Sequence, residues 1–141
     1  MFSKEDSRKL REEFWIAFGK SFPNKWTLYK TKVKGLSFKF HFDLKMAMVS
    51  IDVDSDLEQR VKVWDQLVAL KSILIDEYLP EAIYEDFFIL DNQKDISRIY
   101  VQIKDVSIHN KNSWRETMQF LNTSMYKIES FYEEYKDIID S

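Results

Sequence analysis

The residues best suited to chemistry are lysines. Lys20, Lys25, Lys30, Lys32, Lys34, Lys39 and Lys45 stand in residues 20–45 against the single acid Asp43, so this stretch carries +6. The chain as a whole carries −3, which leaves −9 for the rest. Trp26 and Tyr29 are interleaved with the lysines. Lysine ammonium groups neutralise phosphates and aromatic rings stack on unpaired bases, so the pattern suits a nucleic-acid or other polyanion surface. The competing reading is a solvated strand edge, where lysine discourages sheet-to-sheet pairing. An acidic pI near 5.5 and the lack of Arg in the segment favour that competitor.

Other constellations are thinner. Gln102-Ile103-Lys104 resembles the end of the PD-(D/E)XK nuclease signature, in which a carboxylate holds Mg²⁺ and Lys positions the attacking water; Asp52 or Asp54 would supply the second ligand. Gln is a poor metal ligand, no Pro-Asp pair precedes it, and a tripeptide needs structural context before it means anything. His41, Ser50 and Asp52 make a nominal Ser/His/Asp set, but nothing around them resembles a nucleophile elbow. The other histidine, His109, lies in the polar stretch Ser107–Asn112, where a free helix N-terminus would bind anions and capping by Asn112 or Ser113 would instead satisfy it. There is no cysteine, which excludes disulfides, thiolate metal sites and cysteine catalysis. Two glycines, Gly19 and Gly35, do not write a P-loop or a dinucleotide fingerprint. We therefore assign no catalytic residue, metal or cofactor.

The elements that would position these residues follow from periodicity and punctuation. Three segments begin with Ser followed three residues later by an acid, as in a capping box: Ser3…Asp6, Ser55…Glu58 and Ser113…Glu116. The first predicts a helix from Ser3 to Phe22, stopped by Pro23. The second predicts one from Ser55 to Leu79, stopped by Pro80, with Leu57, Val61, Trp64, Val68 and Ile75 as its apolar stripe, widened by Leu67, Leu70 and Leu74. The third runs from Ser113 to Ile139. Between the first two, Phe38, Phe40 and Phe42 alternate with polar residues, as do Ala47, Val49, Ile51 and Val53. A turn at Leu44-Lys45, or a longer loop there, would pair Phe40 with Val49 and Phe42 with Ala47, placing both apolar sets on one face. A second hairpin joins Phe87–Leu90 to Ile99, Val101 and Ile103.

The order α-ββ-α-ββ-α predicts an α+β fold in a single domain over residues 1–141: a four-stranded antiparallel sheet with helices packed on one face. The opposite face would carry Lys39, His41, Ser50, Asp52, Arg98, Tyr100, Gln102 and Lys104, either wet or bound to something. On the third helix, Trp114, Met118, Leu121 and Met125 start a stripe that suits a core face or a homodimer seam. Its acids Glu129, Glu133, Glu134, Asp137 and Asp140 form a negative pole, a counterpart to the lysine segment. The polar start gives no signal peptide and no apolar run nears the ~20 residues of a membrane span, so the expectation is a soluble, cytoplasmic protein with no membrane partner.

Five stretches look familiar together: Glu12–Pro23, Lys34–Phe40, Glu77–Pro80, Ile96–Val101 and Val106–Trp114. They resemble the bacterial family named domain of unknown function 4268, especially its short stand-alone members, common in Bacteroidetes. The resemblance spans nearly the whole chain. It implies no catalytic residue. Longer relatives carry a related domain behind a nuclease-like module, which implies a connection with nucleic-acid metabolism. The expectation is a small non-catalytic binding or accessory domain whose partner is a nucleic acid or a protein. Its binding residues would be Lys25, Trp26, Tyr29, Lys30, Lys32, Lys34, Lys39, His41, Arg98, Tyr100 and Lys104.

Overall fold

A computed structural model describes residues 2–141. Helix α1 spans Lys4–Ser21 and begins with the predicted box: Asp6 N donates to Ser3 Oγ at 3.0 Å and Ser3 N donates to Asp6 Oδ2 at 3.2 Å. Strands β1 (Leu36–Phe42) and β2 (Met46–Val53) pair antiparallel in the predicted register, Phe40 opposite Val49 and Phe42 opposite Ala47. The chain turns over Leu44-Lys45, closed by Asp43 N donating to Met46 O at 3.0 Å. Asp43 Oδ1 accepts from Lys45 N at 2.8 Å and Met46 N at 2.9 Å, so a side chain supplies what the sequence lacks in turn formers.

Helix α2 (Leu57–Ala69) departs from expectation in three ways. Its cap is Asp56, accepting from Gln59 N at 2.9 Å, and not Ser55. Its buried face holds Arg60, Val63, Trp64 and Leu67, whereas Leu57, Val61 and Val68 are exposed. Arg60 turns inward because Ser97 Oγ, the Asp95 carboxylate and the Asp86 carbonyl all accept from its guanidinium. The helix also breaks at Leu70. A single short turn, α3 (Lys71–Ile73), and a π turn over Leu74–Tyr78 follow, the latter closed by Leu79 N donating to Leu74 O at 2.7 Å.

Strand β3 (Ile83–Ile89) starts four residues before the predicted hairpin arm and bulges at Asp86-Phe87 against its partner β4 (Asp95–Lys104). Helix α4 (Trp114–Ile139) follows a short 3-10 turn, Lys111–Ser113. The Ser113…Glu116 box does not form: Asn110 caps the turn by accepting from Asn112 N, and Ser113 Oγ hydrogen-bonds back into the loop, to Asn110 O at 2.7 Å.

The sheet order is β1-β2-β4-β3, all antiparallel. Phe38, Val49, Ile51 and Ile99 on one face meet Phe14, Phe18, Leu67 and α4 in one buried cluster. Trp114, Leu121 and Met125, three of the four side chains considered for a dimer seam, are buried in that cluster, with Met118 packed at its edge. No helix among the described residues is long and apolar enough to cross a membrane.

Candidate binding groove at the sheet edge

The face opposite the helices, expected to be either wet or bound to something, is closed at its centre by its own side chains. Ser50 and Asp52 have no exposed surface, and Arg98 and Tyr100 are buried as well. These side chains cover one another. Arg98 grips Asp52 with both branches of its fork, Nε to Oδ1 at 2.8 Å and Nη2 to Oδ2 at 2.9 Å. The Phe88 ring lies 4.3 Å over that guanidinium and Met48 Sδ flanks it at 3.8 Å. Lys39 Nζ reaches Asp52 at 3.4 Å, Tyr100 donates its hydroxyl proton to Glu85, and His41 Nε2 lies 2.9 Å from Ser50 Oγ. Among the described residues no buried side-chain nitrogen or oxygen lacks a partner. Burial, reinforced by the Arg98 cation, pushes His41 down to about 4. Burial and the Glu85 hydrogen bond push Tyr100 up to about 12. Both are therefore neutral near pH 7.

This arrangement rearranges the sets read from sequence. Asp52 bonds Arg98 and Lys39 and not His41, and Ser50 is fully buried, so the three do not form a nucleophilic triad. Asp54 pairs with Lys94 at 2.7 Å. Lys104 sits opposite Met46, whereas Asp52 sits opposite Arg98. Six residues of strand separate those positions, roughly 20 Å, so the nuclease set is not assembled. His109 is taken up structurally, stacked on Phe2 and 2.6 Å from Ser7 Oγ.

Accessible basic and aromatic side chains from the lysine segment gather at the β1 edge. Residues 24–33 form a strap tied to α4 at three places: Asn24 Nδ2 to Asn122 Oδ1 at 3.0 Å, Thr27 N to Glu129 Oε2 at 2.6 Å, and Lys32 N to the Tyr132 hydroxyl at 3.1 Å. The lysine segment thus lies against the acidic end of α4 within the same chain, and Lys32 shares a small cleft with Asp137 and Asp140. The strap closes the sheet edge where Phe38 N donates to Leu28 O at 3.0 Å. Leu28 adopts φ +46°, a left-handed conformation that costs an L-residue about 1–2 kcal/mol. The next side chain, Tyr29, is thereby left 71% exposed with Lys39 Nζ 5.7 Å from its ring centre. Beside it opens a cavity of about 450 Å³ lined by Trp15, Leu28, Tyr29, Lys39, Phe40 and His41.

Of the sequence-predicted residues, the groove brings together Tyr29, Lys39 and His41. Trp26 packs edge-on against Phe40 and supports the wall. Lys25, Lys30 and Lys32 are exposed on the same strap, and no ion pair engages them among the described residues. Lys34 is drawn off toward Asp56, 3.6 Å away. Arg98 and Tyr100 belong to the buried network. Lys104 lies with Lys45 in a separate cavity of about 500 Å³ at the far end of the sheet. Sequence reasoning missed Trp15 and Leu28. Trp15 reads as a helix core residue, and nothing in a leucine's neighbours announces a positive φ.

The fold is α+β, a four-stranded antiparallel sheet with helices on one face and a groove lined by Tyr29, Lys39 and His41 at its β1 edge. The chain belongs to the family described as Domain of unknown function (DUF4268), whose model matches residues 10–136. No curated protein and no solved structure matches the chain.

Proposed function

We propose that the domain is a non-catalytic binding module that holds single-stranded nucleic acid along its β1 edge. The observation that carries this reading is Tyr29, held out by a strained backbone beside a cation-bearing groove, on a strap with three unengaged lysines. Strained residues persist where the surroundings impose them, which is common at ligand sites. An exposed ring on a fixed backbone offers a stacking platform, worth about 1–3 kcal/mol per base. Lys25, Lys30 and Lys32 supply phosphate contacts, and Lys39 sits at the groove itself. A lone ring at a sheet edge has access to a splayed base and not to one stacked inside a duplex.

The test is fluorescence anisotropy of labelled single-stranded RNA and DNA, with duplex controls, at 50 and 150 mM salt. Three phosphate contacts predict a slope of log affinity against log salt near −2 for single strands. Replacing Lys30 and Lys32 by Glu should flatten that slope and leave the fold intact by circular dichroism. Absence of binding at low salt, or a slope indifferent to the charge reversals, refutes the proposal.

A further inference from the structure

The two edges of the sheet are treated differently by the chain. At β1 the strap supplies a backbone partner, Leu28 O accepting from Phe38 N. At β3, among the described residues, no backbone group outside β4 bonds the strand between Ile83 and Ile89. Open edges are usually short, charged and free of large apolar side chains, because a row of unpaired N–H and C=O groups is a template for another strand. Strand β3 is seven residues long and leaves Ile83, Phe87 and Ile89 exposed, Phe87 at 71%. Its bulge is fixed from within: Arg60 and Ser97 donate to the Asp86 carbonyl, and the Arg60 guanidinium lies 5.4 Å from the Phe87 ring centre. Phe87 is therefore displayed on a braced backbone.

The surrounding charge identifies the occupant. Residues 76–95 contain seven acids and one base, Lys94. Glu81, Asp86 and Asp91, on and beside the strand, are exposed. A second copy pairing its own β3 here would set acids against acids, which is unfavourable directly across a strand pair. We infer that the outer edge of β3 accepts an extended segment of a partner polypeptide, with Lys or Arg alternating with apolar residues, as a fifth strand. Main-chain hydrogen bonds would supply affinity, the exposed Phe87 and Ile89, which share the helix side of the sheet, would take its apolar side chains, and the acids would select its basic ones. This surface lies at the opposite edge from the groove and does not depend on the nucleic-acid reading.

The probe is a fluorescein-labelled, N-acetylated eight-residue peptide of alternating Lys and Val, compared with one of alternating Glu and Val. Both are titrated by anisotropy and by amide chemical shifts of the ¹⁵N-labelled full chain. The expected result is movement of the amides of residues 83–89 with the Lys peptide and at least tenfold weaker binding of the Glu peptide. The exposed-site double variant Glu81→Lys with Asp91→Lys should lower the Lys peptide's affinity at least tenfold while its spectrum remains that of the folded protein. Unmoved β3 amides, equal binding of the two peptides, or shifts confined to the acidic end of α4 would overturn the inference. Self-association through residues 83–89 without peptide would overturn the choice of partner.

Discussion

Both faces of the sheet are dry at their centres, and they are kept so by opposite means. On the helix side Phe38, Val49, Ile51 and Ile99 pack against helices whose apolar stripes the sequence displays openly. On the other side Asp52 and Ser50 are polar, yet both are as inaccessible as any core residue. There, long side chains roof short ones: Arg98 folds over Asp52, Phe88 over Arg98, and Lys39 closes from β1. The first face is held by non-directional burial, which tolerates changes of shape better than changes of polarity. The second depends on every charge keeping its partner. A sheet face composed of polar residues is thus not necessarily a recognition surface. Here its charges satisfy one another, and the side chains left free are those of Tyr29 and the strap lysines at the edge.

The contrast breaks most sharply at the ion pair. Asp52→Ala leaves Arg98 buried without its carboxylate and should cost about 3–5 kcal/mol in urea denaturation. Phe14→Ala on the helix side should cost a similar 3–5 kcal/mol by leaving a cavity. The two losses differ in how they are repaired. Combining Asp52→Leu with Arg98→Met removes both charges, leaves Lys39 free to reach solvent, and should return most of the stability, because an apolar pair of similar volume does not pay the desolvation cost. If the double variant is no more stable than Asp52→Ala, the network is not the independent unit described.

A smaller effect separates the faces by pH. His41 has a folded-state value near 4 against an ordinary 6.5. As pH falls below about 6.5 the unfolded chain takes the proton first, so stability that is complete above that pH is lost progressively toward pH 4. The loss is at most roughly 3 kcal/mol, and less if water reaches the ring. Urea midpoints at pH 7 and pH 4.5 should show it, and His41→Gln should remove most of the difference. The apolar face contributes nothing to that slope. The smallest effect on stability is expected at the edge: Tyr29→Ala should stay within about 0.5 kcal/mol of the parent protein in the same assay.

The hairpin register was legible because three phenylalanines alternate strictly, so any odd slip would split them from Ala47–Val53, and a turn at Leu44-Lys45 selects among the registers that remain. The first helix was legible because Ser3 and Asp6 cap it locally. What depends on distant partners was not. Leu57, Val61 and Val68 are as periodic as Val63, Leu67 and Leu70, and the choice between those faces is made by Ser97 and Asp95, which receive Arg60 from 35 or more residues away. Likewise Asp52 and Arg98 announce a charge each, but their pairing follows from β2 lying beside β4, an order that alternation does not encode. Tyr29, Lys39 and His41 were legible as residue types. Their convergence required the left-handed turn at Leu28, for which the sequence carries no mark.

The most direct test of the central claim is to locate the ligand. A single-stranded RNA carrying 4-thiouridine would be crosslinked to the protein by long-wavelength light, and the attached peptide identified by mass spectrometry. Attachment is expected within residues 25–41, centred on Tyr29, and should be lost in Tyr29→Ala. Crosslinks distributed over the open sheet face near Tyr100 and Gln102, or undiminished in Tyr29→Ala, would contradict the claim.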